Sequence, residues 1–245
     1  MGKMLDRREE SKVVPPLVEG DRLTLKEFLR RYEADEDIIR AELIKGVVYV
    51  NSRRVRIDGK ETIVPPISEE GHGQPQNKIS TWLGIYQEYT PGVVASCPFT
   101  VRIADDMAPE PDVSLKFLPN YKDRSRSNSD IPELVIEIAN TSASFDLGPK
   151  KEAYLDSGVK EYLVWRTERR LFDWFILKRK QYVRFEPDAE GIIRSETFPG
   201  LWIDVAAVQK WETSSFLAAL NLGLASPEHA AFVAKLQAKA KRKKK

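Results

Sequence analysis

Two carboxylates and a lysine in the middle of this chain have the residue types that metal-assisted hydrolysis requires. Asp112 follows Pro111 before a β-prone segment, Glu137 lies inside an apolar run, and Lys150 stands on a predicted helix. Carboxylate oxygens are ligands that Mg²⁺ prefers, and a bound metal activates water against a phosphodiester. If the fold brings these three side chains together, they form a minimal site for that chemistry.

Glu137 is the least expected of the three, because its neighbours predict a strand at the centre of a sheet. The run 134–139 is apolar apart from this carboxylate, which shares a strand face with Val135 and Ala139. A buried carboxylate is costly without a cation or several hydrogen-bond donors. Glu137 is therefore either a metal ligand or a glutamate at the rim of the sheet that pairs with a lysine.

Asp112 depends on strand pairing for its significance. A Pro-Asp dipeptide alone is typical of a turn, and proline keeps the preceding backbone extended. If the segment 113–115 pairs with the strand at 134–138, both carboxylates reach the same place on the sheet. We therefore treat Asp112 and Glu137 as one candidate pair.

Lys150 lies four residues after Asp146 and four before Tyr154, so these side chains share one face of a helix. The pattern predicts a helix over 147–157, with Asp146 as its N-cap and Gly158 as its end. The lysine either makes an ordinary surface ion pair or directs its ammonium group at the metal site. In the second case it would orient the attacking water and offset charge in the transition state.

Two further residues are ambiguous from the sequence alone. His72 stands between two glycines before a helix, where backbone amides suit a phosphate, and a functional role and a structural loop role stay equally open. Glu42 follows an acidic, helix-prone segment and by itself indicates a solvated helix position.

Several elements must position these residues. Apolar residues at helical spacing predict a helix of roughly four turns that ends at Pro91-Gly92 and buries one face. Asp58-Gly59 predicts a β-hairpin, residues 99–103 predict a strand, and 119–130 predict a polar loop. The buried helical face consists of Ile79, Trp82, Leu83 and Tyr86.

Composition favours a globular protein with uneven charge. The 245 residues are 42% hydrophobic and 31% charged, with a net charge of +2. One cysteine, Cys97, excludes an internal disulfide framework and is expected in the core. The absence of a long apolar run predicts a soluble, cytoplasmic protein.

Basic side chains on the hairpin and the tail are expected to bind DNA phosphates: Arg53, Arg54, Arg56, Lys241, Arg242 and Lys243.

The order of these motifs resembles the Uma-two family of restriction endonucleases, within the PD-(D/E)XK nuclease superfamily. The resemblance covers about residues 22–208. It departs from the family pattern at Lys45, at Asn140-Thr141-Ser142 and at Arg166. The segments that carry it are 41–46, 69–72, Pro111-Asp112, 133–137, Asp146 to Lys150 to Tyr154, 158–162, 198–201 and 203–205.

The resemblance implies a restriction-endonuclease-like α/β core, with a central mixed β-sheet flanked by helices, and metal-dependent cleavage of DNA. Asp112 and Glu137 would bind Mg²⁺ or Mn²⁺, and Glu42 would be a helix glutamate that completes the acidic cluster. Lys150 would be the active-site lysine moved from the strand to the following helix. His72 matches a histidine common in the family and is a further candidate for contact with DNA.

We therefore expect a flexible arm at 1–20, a nuclease-like domain at 21–211 and a helical extension with a basic tail at 212–245. The expected activity is that of a metal-dependent endodeoxyribonuclease with DNA as partner, no membrane partner and a possible homodimer. Two alternatives stay open. One is a non-catalytic DNA-binding or assembly module on a nuclease fold, and the other is a different enzyme with a carboxylate metal site.

Overall fold

The strands and helices are described for residues 14–65, 68–118 and 131–243 of a computed structural model. The strands are β1 Ile38–Ile44, β2 Val47–Ile57, β3 Lys60–Val64, β4 Val93–Ser96, β5 Val113–Phe117, β6 Leu134–Ala139, β7 Glu161–Arg166, β8 Leu171–Lys178, β9 Gln181–Arg184, β10 Ile192–Arg194 and β11 Trp202–Asp204. The helices are α1 Leu25–Ala34, α2 Gln74–Tyr89, α3 Ala143–Phe145, α4 Lys151–Asp156, α5 Val205–Gln209, α6 Thr213–Leu224 and α7 Pro227–Lys243.

A six-stranded mixed sheet forms the centre of the molecule, in the order β4-β5-β6-β7-β8-β9. Strands β6 and β7 are parallel, while the other neighbouring pairs are antiparallel. The segment from α3 to α4 makes the crossover that a parallel pair requires. Every residue of β6 is buried, as its apolar sequence predicts. The expected α/β fold with a central mixed sheet and flanking helices is confirmed.

Each face of this sheet has its own apolar core. On one face α2 packs through Trp82 and Leu83 against a cluster that includes Trp165 and Trp174. On the other face Tyr154, from α4, packs with Val135 and other residues of the second cluster. The alternation along β6 therefore assigns Glu137 to the face that α4 covers, as its sequence predicts.

A second, three-stranded antiparallel sheet contains β1, β2 and β3. The prediction of a helix around Glu42 is wrong, because this residue lies on β1, which pairs with β2 through a tight turn at Lys45-Gly46. Both turn residues have positive φ, as a two-residue hairpin requires. Hydrogen bonds of 3.1 and 2.7 Å between the backbones of Leu43 and Ala108 bring β1 to the segment before β5.

The predicted hairpin at Asp58-Gly59 is confirmed, with φ of 49° and 76° at its two turn residues. The strand predicted at 99–103 is wrong. This segment bonds back to its own continuation, since Val101 N–H donates to Pro109 O and Ile103 N–H to Met107 O. Prolines at 109 and 111 lack the N–H groups that a regular ladder needs, so no named strand forms.

The expectation that Cys97 lies in the core is wrong. Cys97 is exposed, because it lies just beyond the end of β4. The tail is helical through Lys243. The expected loop at 119–130 and residues 1–13 of the expected arm lie outside the described residues, and within the rest of that arm Leu17 is buried.

Candidate active site

The start of β5 and the middle of β6 place Asp112 and Glu137 side by side. Val113 pairs with Ile136 in the antiparallel register of these two strands. The N–H of Ile138 donates to Asp112 Oδ2 over 2.8 Å, which fixes the aspartate against the backbone beside Glu137. Both carboxylates line one cavity of about 230 Å³.

Lys150 occupies the centre of this carboxylate cluster. Its Nζ lies 2.8 Å from Glu137 Oε1, 3.0 Å from Glu42 Oε1 and 3.9 Å from Asp146 Oδ1. The lysine is 4% exposed, so its ion pairs are shielded from water. Burial by itself lowers the pKa of Lys150, but the surrounding carboxylates outweigh that effect and raise it. Lys150 is therefore an ammonium at neutral pH.

The helical segment that carries Lys150 differs from the predicted one. It begins at Ala143 and contains a π-helical turn at Asp146–Lys150, so the prediction of Asp146 as an N-cap is wrong. Gly148 has non-helical angles, φ −108° and ψ −107°, next to Pro149, which lacks an N–H. The resulting kink falls directly before Lys150. Asp146 instead accepts a hydrogen bond from Ser142 and lines the cavity.

Glu42 enters the same cluster from the second sheet. Its Oε1 accepts the N–H of Glu110 over 2.6 Å, and its Oε2 accepts from Asn51 Nδ2 over 2.8 Å. The residue is 1% exposed. The resemblance implied a helix glutamate here, whereas the structure brings a strand glutamate to the same cavity as Asp112 and Glu137.

His72 contacts both the backbone of β6 and the carboxylate of Asp112. Its π-helical turn, Glu69–Gly73, places Nδ1 3.0 Å from Ile138 O and Nε2 3.3 Å from Asp112 Oδ1. A carbonyl oxygen only accepts, so Nδ1 carries a proton, and a proton on Nε2 satisfies the aspartate. Burial lowers the pKa of His72, but the hydrogen bond and charge of Asp112 outweigh it and raise this pKa.

The two central carboxylates have opposite pKa shifts. Burial raises the pKa of Glu137 well above its usual value, because Lys150 only partly offsets burial and the three other carboxylates. Burial also raises the pKa of Asp112, but the hydrogen bond and charge of His72, with the charges of Arg40 and Lys150, outweigh it and lower this pKa. Paired acids with diverging pKa values are characteristic of sites for acid–base or metal chemistry.

Sequence reasoning missed two residues of this site, Arg40 and Glu110. The guanidinium of Arg40 lies 3.3 Å from Asp112 Oδ1 and donates to the carbonyl of Glu110 over 2.9 Å. The carboxylate of Glu110 accepts from Tyr32 and Thr100. The sequence shows only their spacing: Arg40 and Glu42 are two positions apart, and Glu110 and Asp112 flank a proline, but neither pattern indicates that the two segments meet.

The basic residues predicted to bind DNA are absent from the described lining of this cavity. Arg54 donates to the carbonyl of Glu36 and lies 3.4 Å from Glu61, while Arg53 is half-buried and Arg56 is exposed. Lys241 is exposed near the end of α7. The side chains of Arg242 and Lys243 lie outside the described residues, so their role stays a prediction.

The donor set suits a hard divalent cation, although its present arrangement is that of an ion-pair network. Among the residues that the structure describes, no group of three or more His, Cys, Asp or Glu side chains is placed to hold a metal ion. Cations contact the carboxylates instead. Within the same residues, both partners of Glu137, Lys150 and Tyr154, contact Oε1, and no donor contacts Oε2. A free carboxylate oxygen on this cavity fits a metal such as Mg²⁺.

The fold is a central mixed sheet flanked by helices, with Asp112 directly before β5, Glu137 on β6 and Lys150 directly before α4. A crystal structure described as a putative nuclease belonging to DUF820 from Anabaena variabilis ATCC 29413 has the same fold. It aligns with a TM-score of 0.52 and 17% identity, over 77% of this chain and 98% of that one.

The family model of Uma2, described as "Putative restriction endonuclease", matches residues 25–206, and this chain belongs to that family. The resemblance that the motifs indicate is thereby confirmed. No curated protein matches the chain. Within the described residues, no helix is long and apolar enough to cross a membrane.

Proposed function

We propose that this protein is a metal-dependent endonuclease that hydrolyses DNA phosphodiester bonds. The observation that carries the proposal is the buried Lys150, whose ammonium contacts Glu137 and Glu42 in the cavity that Asp112 also lines. Membership of a family described as restriction endonucleases supports DNA as the substrate.

Asp112, Glu137 and Glu42 are the residues that we propose to hold Mg²⁺ or Mn²⁺. A metal at this position would polarise a phosphoryl oxygen and lower the pKa of the attacking water. The unpaired Oε2 of Glu137 supports this assignment. The lowered pKa of Asp112 favours the ionised form that a ligand needs, whereas the raised pKa of Glu137 opposes it, so the charge of the metal itself would have to favour ionised Glu137.

Lys150 would act on the reacting phosphate through its positive charge. Its pKa is raised, so it is a poor general base, and its fitting roles are to orient water and to offset negative charge in the transition state. Tyr154 donates to Glu137 Oε1 over 3.0 Å and would keep this carboxylate in position. Arg40, which is partly exposed on the cavity, is a candidate for contact with the phosphate.

The alternative is a non-catalytic DNA-binding or assembly module in which the cluster only stabilises the fold. One observation favours it: Lys150, Arg40 and His72 already contact the carboxylates, and such a network can persist without a metal. A buried ion cluster is, however, weak evidence for stability, because desolvation offsets much of its attraction.

Incubation of the purified protein with supercoiled plasmid separates the two functions. The proposal predicts nicked and linear DNA with Mg²⁺ or Mn²⁺ and intact plasmid in EDTA. Intact plasmid under every metal condition, from protein that still retards DNA in a gel, would favour the non-catalytic module.

A further inference from the structure

A second cleft adjoins the candidate active site. Its volume is about 560 Å³, within the range of small-molecule sites, and its lining shares Ser68 and Asn140 with the cavity of the carboxylate cluster. One wall comes from the turn between β7 and β8, and another from the end of α5. The side chains that supply these two walls are Thr167, Glu168, Arg170, Lys210 and Trp211.

Trp211 occupies a backbone position that usually belongs to glycine. Helix α5 ends with two backbone hydrogen bonds, from Trp211 N–H to Val208 O and from Glu212 N–H to Ala207 O. Trp211 itself has a positive φ of 65°. This helix ending favours glycine at that position, and a bulky side chain with positive φ is an outlier. Such strain is concentrated at functional sites.

The indole of Trp211 is a half-buried aromatic surface. Its ring centroid lies 5.4 Å from that of Trp165, which anchors it to the core, while the residue stays partly exposed on the cleft. With part of the residue packed on the core and part exposed on the cleft, the indole of Trp211 is suited to stacking against another planar group there.

Two cations line the same cleft as this ring. Arg170 and Lys210 are both exposed, and among the described residues neither forms an ion pair with a carboxylate. Arg170 also has a positive φ, 53°, in its turn. Glu70 and Glu168 line the cleft as well, and carboxylates repel phosphate but accept hydrogen bonds from the amino groups of bases.

From the aromatic and cationic side chains that line this cleft, we propose that it binds one unpaired nucleotide of the DNA substrate next to the cleaved bond. The base stacks on Trp211, and Arg170 and Lys210 contact the neighbouring phosphates. An indole face can receive a base only when that base has left the duplex stack, so the substrate has an unpaired or flipped nucleotide. This inference rests on the proposed nuclease function and specifies its substrate.

Fluorescence anisotropy tests the proposal without cleavage. A fluorescein-labelled blunt duplex and the same duplex with a short thymine bulge are titrated with protein in EDTA. The wild-type protein should prefer the bulged duplex. Trp211→Gly, which suits the backbone at that position, should weaken binding of the bulged duplex about 5- to 150-fold, the range for one stacked base, and leave the blunt duplex unchanged.

A matched pair of arginine variants keeps the test independent of the packing of Trp211. Arg170 and Arg179 are both exposed hairpin-turn residues with positive φ, and only Arg170 lines the cleft. Arg170→Gly should lower affinity for the bulged duplex, and Arg179→Gly should not. Equal effects of these two variants, equal losses on both DNAs for Trp211→Gly, or no preference of the wild type would overturn the proposal. A bulge preference that depends on Trp211 in a protein that never cleaves DNA would support this site and refute only the nuclease function.

Discussion

Glu137 and Glu161 are both buried glutamates on adjacent strands of the central sheet, but their surroundings differ. Glu161 accepts hydrogen bonds from Ser195, Thr197 and Trp174, and it lies outside the cavity. Glu137 contacts a lysine and keeps one oxygen without a donor among the described residues. Neutral donors can satisfy a buried carboxylate that has only a structural role. A buried carboxylate that contacts a cation and keeps one oxygen without a donor is instead what we expect of a metal ligand.

This contrast gives the first prediction. Asp112→Asn and Glu137→Gln each remove one charged ligand while they keep the side-chain shape, so metal-dependent nicking of plasmid should fall to the EDTA background. Thermal unfolding should show that both variants still fold. Glu161→Gln is the matched control and should keep its cleavage rate, because Glu161 lies on β7 outside the cavity. An equal loss in all three variants would refute the assignment of ligands.

Lys150 and Lys151 are adjacent in the sequence but differ in environment. Lys150 is in the cluster, while Lys151 lies over the ring of Phe175, 3.7 Å from its centroid. Lys150→Met should reduce the cleavage rate about 100-fold or more, the order for loss of one electrostatic stabiliser, and should spare Mn²⁺ binding measured by calorimetry. Lys151→Met should cleave normally. If both variants lose the same activity, only bulk charge matters or the assigned lysine is wrong.

At the residue scale, the sequence could reveal Glu137 because a carboxylate inside an apolar strand is conspicuous by itself. Arg40 and Glu110 could not be found in the same way. Their meeting depends on the contact between β1 and residues 108–112, which are far apart in the sequence. Local patterns carry no information on such a non-local pairing.

At the scale of elements, helix α6 packs on the core through Phe216 and Leu220. Its contact with the Gly200 backbone requires a glycine at 223, because a Cβ there would lie 2.2 Å from Gly200 O. The strands and helices with strong local patterns, such as α2 and the hairpin at 58–59, were predictable. The strand at β1 was not, because its pairing with β2 overrides a weak helical preference.

Two glycines in helices should therefore respond in opposite ways to alanine. Gly223→Ala should destabilise the protein by about 1–3 kcal/mol or more, because the contact is with rigid backbone. Gly84→Ala, at a position with nothing within 4 Å, should stabilise it by about 0.5–1 kcal/mol. Urea unfolding measures both changes. Equal stability of Gly223→Ala and the wild type would show that α6 does not pack as described.

At the scale of the whole molecule, the net charge is only +2, but the C-terminal helix α7 is rich in lysine and arginine. Its lysines carry no groove-reading chemistry, so we expect contacts with phosphates without base preference. Truncation after Leu236, which keeps this buried side chain, should weaken DNA binding at low salt. Each lost phosphate contact should reduce the slope of log K against log salt by about 0.9. An unchanged slope would identify the tail as a solubilising segment.

The central claim is that the cluster around Lys150 is a metal site, and a crystal of the protein grown with Mn²⁺ tests it most directly. The account predicts an anomalous peak in contact with Asp112 and Glu137, with carboxylate oxygens about 2.1 Å from the metal. Lys150 should then have moved from at least one of its present partners, Glu137 and Glu42. A fully occupied Mn²⁺ elsewhere, with Lys150 still bridging both glutamates, would contradict the account.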